Sequence, residues 1–161
     1  MRIFAAMCVL VLFVGCSKPV QNYGNFAEVK SDELVQDTLF VMFETYPPAQ
    51  TRLALVQDAG DEFGTKLVEA LRLHGYAVVD YVESTKGKWG GKQVQKPDGL
   101  AFAYVLDRTD AENEVRVNLH VGAESLSRLY EIKVEGEEVK YIPKGFWSHR
   151  QGRNGEDEPA T

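Results

Sequence analysis

Few residues of this 161-residue chain are of a type that does chemistry, and one of them stands out by its setting. The chain has two cysteines, Cys8 and Cys16, and three histidines, His74, His120 and His149. Cys8 lies inside an uninterrupted apolar run, Ile3 to Val14, whereas Cys16 lies just past that run, behind the small Gly15. A thiol is the side chain that can be covalently capped, and a small residue before it leaves the preceding peptide bond accessible. The histidines offer no matching chemistry: they fall on an expected helix end, a strand and a tail, with no cysteine partner and no H-x-x-x-H spacing. No metal site is expected from them. Ser125 and Ser127 lack a nucleophile-elbow context. The segment Thr85-Lys86-Gly87-Lys88-Trp89-Gly90-Gly91-Lys92 superficially suggests a phosphate loop, but G-x-x-x-x-G-K-[ST] is absent and Gln93 follows the lysine. The acids Glu135, Glu137 and Glu138 read as a solvated turn, because acid–base work needs a cleft. No catalytic residue and no metal or small-molecule cofactor is expected, and the chain does not read as an enzyme.

The setting of Cys16 reads as a processing signal. One cation at Met1-Arg2, a short apolar stretch and a small residue at the break define a secretory signal peptide over residues 1–15. The stretch is too short for a membrane span of ~20 residues. Phe13-Val14-Gly15-Cys16 resembles the lipobox of bacterial lipoproteins, with Phe13 standing where leucine is usual. That resemblance implies that Phe13, Val14 and Gly15 are recognised by a lipoprotein signal peptidase. Cys16 then becomes the mature N-terminus, carrying a diacylglycerol and an N-acyl chain such as palmitate. The alternative is an ordinary secreted protein whose cysteine lies near the cut. Ser17 follows the cysteine where an aspartate commonly signals inner-membrane retention, which favours the outer membrane, with the domain facing the periplasm.

Charge and cysteine content bound the rest. Processing after Gly15 leaves 146 residues with Cys16 as the lone thiol, so no intrachain disulfide can form in an oxidising compartment. Loss of Arg2 takes the formal charge from −6 to −7. So acidic a chain lacks the basic footprint of a nucleic-acid binder and is not drawn to anionic lipid. Attachment must come from the acyl chains, each buried methylene contributing ~0.8 kcal/mol.

The remaining pattern predicts a single α+β domain over residues 31–147, tethered by a flexible segment at 16–30 and followed by a disordered acidic tail at 148–161. Ser31 or Asp32 caps a first helix carrying Leu34, Val35, Thr38, Leu39 and Met42 at helical spacing, stopped after Tyr46 by Pro47-Pro48. Thr51 to Gln57 alternates as a strand. Asp61 is a plausible cap for a second helix with an apolar stripe of Phe63, Leu67, Val68 and Leu71, ended by Gly75. Strands are expected at Tyr76 to Val82, Leu100 to Leu106, Val115 to Val121 and Leu126 to Val134, with an edge strand at Val139 to Ile142 ended by Pro143. Two helices then pack on one face of a mostly antiparallel sheet of four to six strands.

Partner binding has two candidate points. Lys88, Trp89 and Lys92, in the long loop Ser84 to Gly99, set an aromatic among cations; Trp89 either anchors an interface or folds back on the sheet. Phe146 and Trp147 follow Gly145 just before the tail; they either close the core or dock a partner. Arg52 either pairs with an acid such as Glu69 or stays solvated.

Several segments together resemble the TrbH family of conjugal transfer lipoproteins. They are the lipobox ending at Cys16, Tyr23-Gly24-Asn25-Phe26, Tyr46-Pro47-Pro48-Ala49 with Thr51-Arg52, Phe63-Gly64 with Leu67-Val68-Glu69-Ala70-Leu71-Arg72, and Gly75-Tyr76. The resemblance implies a structural part of a type IV secretion (mating-pair formation) apparatus for plasmid transfer. Its partners would be other channel subunits at the outer membrane. It implies no catalytic residue, no direct nucleic-acid contact and no small-molecule substrate. A second reading is a regulatory periplasmic lipoprotein that activates a peptidoglycan enzyme. The tether at 17–30 reaches at most ~50 Å, short for crossing the peptidoglycan. A periplasmic hydrolase is disfavoured by the lack of a nucleophile–base pair.

Overall fold

The computed structural model describes residues 32–82, 98–109, 111 and 113–152. Helix α1 spans Asp32–Thr45 and helix α2 Glu62–Leu73; the strands are β1 Arg52–Leu55, β2 Ala77–Val79, β3 Leu100–Arg108, β4 Glu114–Val121, β5 Glu124–Glu135 and β6 Glu138–Gln151.

Local chemistry sets the helix limits. Asp32 and Glu33 place negative charge in the first turn of α1, where the exposed amides favour it. Pro47 and Pro48 cannot continue the ladder, so α1 ends at Thr45 and the chain turns through a single 3-10 turn at Pro48–Gln50. The Asp61 carboxylate accepts from Gly64 N at 3.0 Å and caps α2. Phe63, Leu67, Val68 and Leu71 are all buried, as their spacing predicts, and Gly75 follows the helix with φ +90°.

The six strands form one sheet in the order β2-β1-β3-β4-β5-β6. β1 pairs in parallel with both β2 and β3, and α2 makes the crossover between β1 and β2. From β3 onward the chain is an antiparallel meander. The class is therefore the expected α+β arrangement, two helices on a mostly antiparallel sheet. The core lies between helices and sheet and holds Tyr104, Tyr130, Phe102, Leu34, Leu39 and Leu67 among its largest fully buried side chains.

Three elements differ from the pattern-based limits. β2 is shorter than Tyr76 to Val82, because it pairs only with the four-residue β1. β1 is shorter than Thr51 to Gln57, and its alternation holds with Thr51, Leu53, Leu55 and Gln57 buried and Arg52 and Val56 exposed, failing only at Ala54, which is 3% exposed. The largest difference is β6, which does not end at Pro143 but runs to Gln151. Residues 148–151 therefore belong to the sheet rather than to a tail. Pro143 is tolerated because it occupies an edge position whose backbone nitrogen faces away from β5. Tyr141, two residues earlier and of the same orientation, gives its N–H to Glu33 of α1 at 2.7 Å instead of to the ladder. Among the described residues no helix is long and apolar enough to cross a membrane.

Candidate interaction surface

β6 is the outer strand of the sheet, and it carries the one irregularity in its pairing with β5. Ser127 opposes Ser148 and Leu129 opposes Lys144, so Gly145, Phe146 and Trp147 together face the single residue Arg128. This is a bulge, and Gly145 makes it possible by adopting φ +70°, a conformation that costs a side chain but not a glycine. The bulge sends its two aromatics in different directions. Trp147 packs partly buried against the core, while Phe146 is 95% exposed. Of the two aromatics, Trp147 alone packs on the core.

The bulge is held from below. Arg128 donates from Nη2 to Gly145 O at 2.8 Å and from Nη1 to both carboxylate oxygens of Asp37 at 2.9 Å. Tyr130 donates its hydroxyl to the same carboxylate, and the guanidinium lies 5.9 Å from the Tyr130 ring centroid. Burial, and then the bond to Asp37, push the Tyr130 hydroxyl well above its usual range. The Asp37–Arg128 pair is only 24% and 17% exposed, so it is screened less than a surface pair.

Two further contacts tie α1 to the same hairpin. Glu33 takes the Tyr141 amide, as above. At the other end of the helix, Tyr46 donates to Glu124, which also meets His149 Nε2 at 3.0 Å. The Tyr46 bond, then the His149 bond, hold the Glu124 carboxyl below the usual carboxylate range. Tyr76 in turn donates to Tyr46 O at 2.7 Å, and burial pushes its hydroxyl up to about 12.

Register shows where the free edge of β6 begins. Gly152 donates inward to Ala123 O at 2.6 Å, so Arg150 and Ser148 also turn their backbone groups toward β5, while His149 and Gln151 turn theirs outward. Before the bulge the edge offers no free donor at 141 or 143, because Tyr141 N–H is taken by Glu33 and Pro143 has none. After the bulge, no described residue takes the outward groups of His149 and Gln151.

The charge of this edge is opposite to that of the chain. No Asp or Glu occurs between Glu138 and Glu156, while Lys140, Lys144 and Arg150 fall on β6. Lys140 pairs with Glu135 at 2.6 Å and Lys144 pairs with Glu114. Arg150 is exposed and has no partner among the described residues.

Of the residues singled out from sequence, the structure places Phe146 and Trp147 side by side on this bulge. Lys88, Trp89 and Lys92 lie outside the described residues, as do Phe13, Val14, Gly15 and Cys16. Asp37, Arg128 and Tyr130 were not anticipated: Asp37 lies about ninety positions before the other two and meets them only through the packing of α1 on β5. The acid-free run after Glu138 was a readable sign of the edge. Elsewhere, Arg52 pairs with Asp98 at 2.9 Å rather than with Glu69. Among the described residues, no three His, Cys, Asp or Glu side chains are placed to hold a metal ion.

A family model described as "Conjugal transfer protein TrbH" matches residues 19–151. That range covers both helices and all six strands and stops at the last residue of β6. No curated protein and no solved structure matches.

Proposed function

This chain belongs to the TrbH family of conjugal transfer proteins, and we propose that it is a structural, non-catalytic lipoprotein of the apparatus that moves plasmid DNA between bacteria. The single observation that carries this reading is the family match, which runs through the whole folded domain. In this reading Cys16, processed behind Phe13-Val14-Gly15, carries the acyl chains that hold the protein in the outer membrane. The short segment before α1 leaves the domain in the periplasm near that membrane, where it binds other subunits of the channel. The exposed Phe146 supports a binding role, since the backbone of its bulge is already anchored by Arg128 and loses little freedom on docking.

Affinity purification from a crosslinked host that carries the transfer system tests the proposal. Recovery of other transfer subunits is the expected result. Recovery of a peptidoglycan synthase without them would overturn it.

A further inference from the structure

We propose that the β6 edge beyond the bulge, Phe146 to Gln151, accepts an extended acidic segment of another transfer subunit as a seventh strand of the sheet. This rests on the reading of the chain as a channel component, and it names the docking site and the chemistry of what docks.

Three observations carry it. The outward backbone groups of His149 and Gln151 have no partner among the described residues, whereas before the bulge the outward donors at 141 and 143 are taken by Glu33 or missing at Pro143. An open edge is a template for strand addition. Phe146 stands 95% exposed where the open edge begins, and Arg128 and Asp37 fix the bulge that presents it. The charge of the edge then selects the partner. The run from Val139 to Gly155 holds no acid in a chain of net charge −6, and Arg150 is an exposed cation with no partner among the described residues. A second copy of this run of β6 would bring in Arg150 again and no acid to meet it, so an acidic segment fits better.

Replacing Phe146 with a photoreactive phenylalanine in cells carrying the transfer system, followed by mass-spectrometric mapping of the crosslinked peptide, tests this. The expected product joins residue 146 to an extended segment rich in Asp and Glu in a different protein. Gln151→Pro removes an outward N–H and leaves the ladder to β5 intact. Arg150→Glu reverses the exposed charge without touching the backbone, and it serves where the proline variant fails to fold. Each is expected to cut the yield roughly ten-fold, the loss typical of an interface anchor. The proposal is overturned by crosslinks confined to a second copy, to residues 153–161 of the same chain, or to a basic or helical segment. It is equally overturned by yields that neither variant changes. If the purification above recovers transfer subunits while these crosslinks fail, the edge assignment alone is wrong; if it recovers none, the reading beneath it is wrong.

Discussion

Asp37 of α1 grips Arg128 of β5 through both carboxylate oxygens at 2.9 Å, across 91 positions of sequence, and the same guanidinium holds the carbonyl of Gly145. A helix is thereby coupled to the bulge that exposes Phe146. The pair is largely shielded from water, so removing one partner leaves a poorly solvated charge behind.

Asp37→Ala is expected to lower stability by roughly 2–3 kcal/mol in urea denaturation. Adding Arg128→Met should recover part of that loss, because the orphaned charge is then gone. A single-variant loss below about 0.5 kcal/mol, the range of ordinary surface changes, would show that the pair does not hold the bulge.

The two bulge aromatics are expected to behave oppositely. Phe146→Ala should change stability by less than about 0.5 kcal/mol, as at other surface positions. Trp147→Ala should cost about 3 kcal/mol through the cavity it leaves. Trp147→Phe should cost less, since the indole Nε1 is buried with no hydrogen-bond partner among the described residues. Thermal or chemical unfolding of the three variants checks this order.

Gly64 in the first turn of α2 tolerates no side chain. A Cβ there would collide with the Tyr104 hydroxyl, which donates to the helix-capping Asp61. Gly64→Ala is expected to cost at least roughly 2 kcal/mol, as overpacking does in a filled core. Gly64→Ala with Tyr104→Phe should recover only part, because the ring itself stands close.

Stability should fall at both ends of the pH scale. Tyr76 and Tyr141 are pushed up to about 12 by burial, and Tyr46, Tyr104 and Tyr130 higher still. Raised phenols contribute stability that is whole below the ordinary tyrosine value of about 10 and is lost as pH rises through the folded values. Their ionisation, followed by absorbance near 295 nm, should therefore coincide with loss of far-ultraviolet dichroism. In the acid range, the Tyr46 bond depresses Glu124 and the Lys144 bond depresses Glu114. Their contribution is present above the ordinary carboxylate value and disappears as pH drops through the depressed ones. Tyrosines that titrate near 10 while the fold persists would contradict the packing described.

Much of the fold was legible because its signals are local. The Asp61 cap, the stripe from Phe63 to Leu71 and the stop at Pro47-Pro48 each depend on residues a few positions apart. β6 was misjudged past Pro143 because proline ends a central strand but not an edge one, and edge status is a property of the whole sheet. The segment Ser148 to Gln151 has no apolar run, yet it pairs with β5 through backbone groups that any residue supplies. At the candidate site, Phe146 and Trp147 were visible as an aromatic pair after a glycine. Their division into one core and one exposed ring follows from a two-residue register change, which no local pattern encodes. The Asp37–Arg128 grip was invisible for the same reason as any contact spanning most of a domain.

Plasmid transfer from donors lacking this gene measures the proposed function most directly. The account predicts that deletion lowers mating frequency at least ten-fold. The wild-type chain should restore it, while Cys16→Ala, which should also fail to take up labelled palmitate, should not. Unchanged transfer from the deletion donor, or full rescue by an unlipidated Cys16→Ala chain, would contradict it.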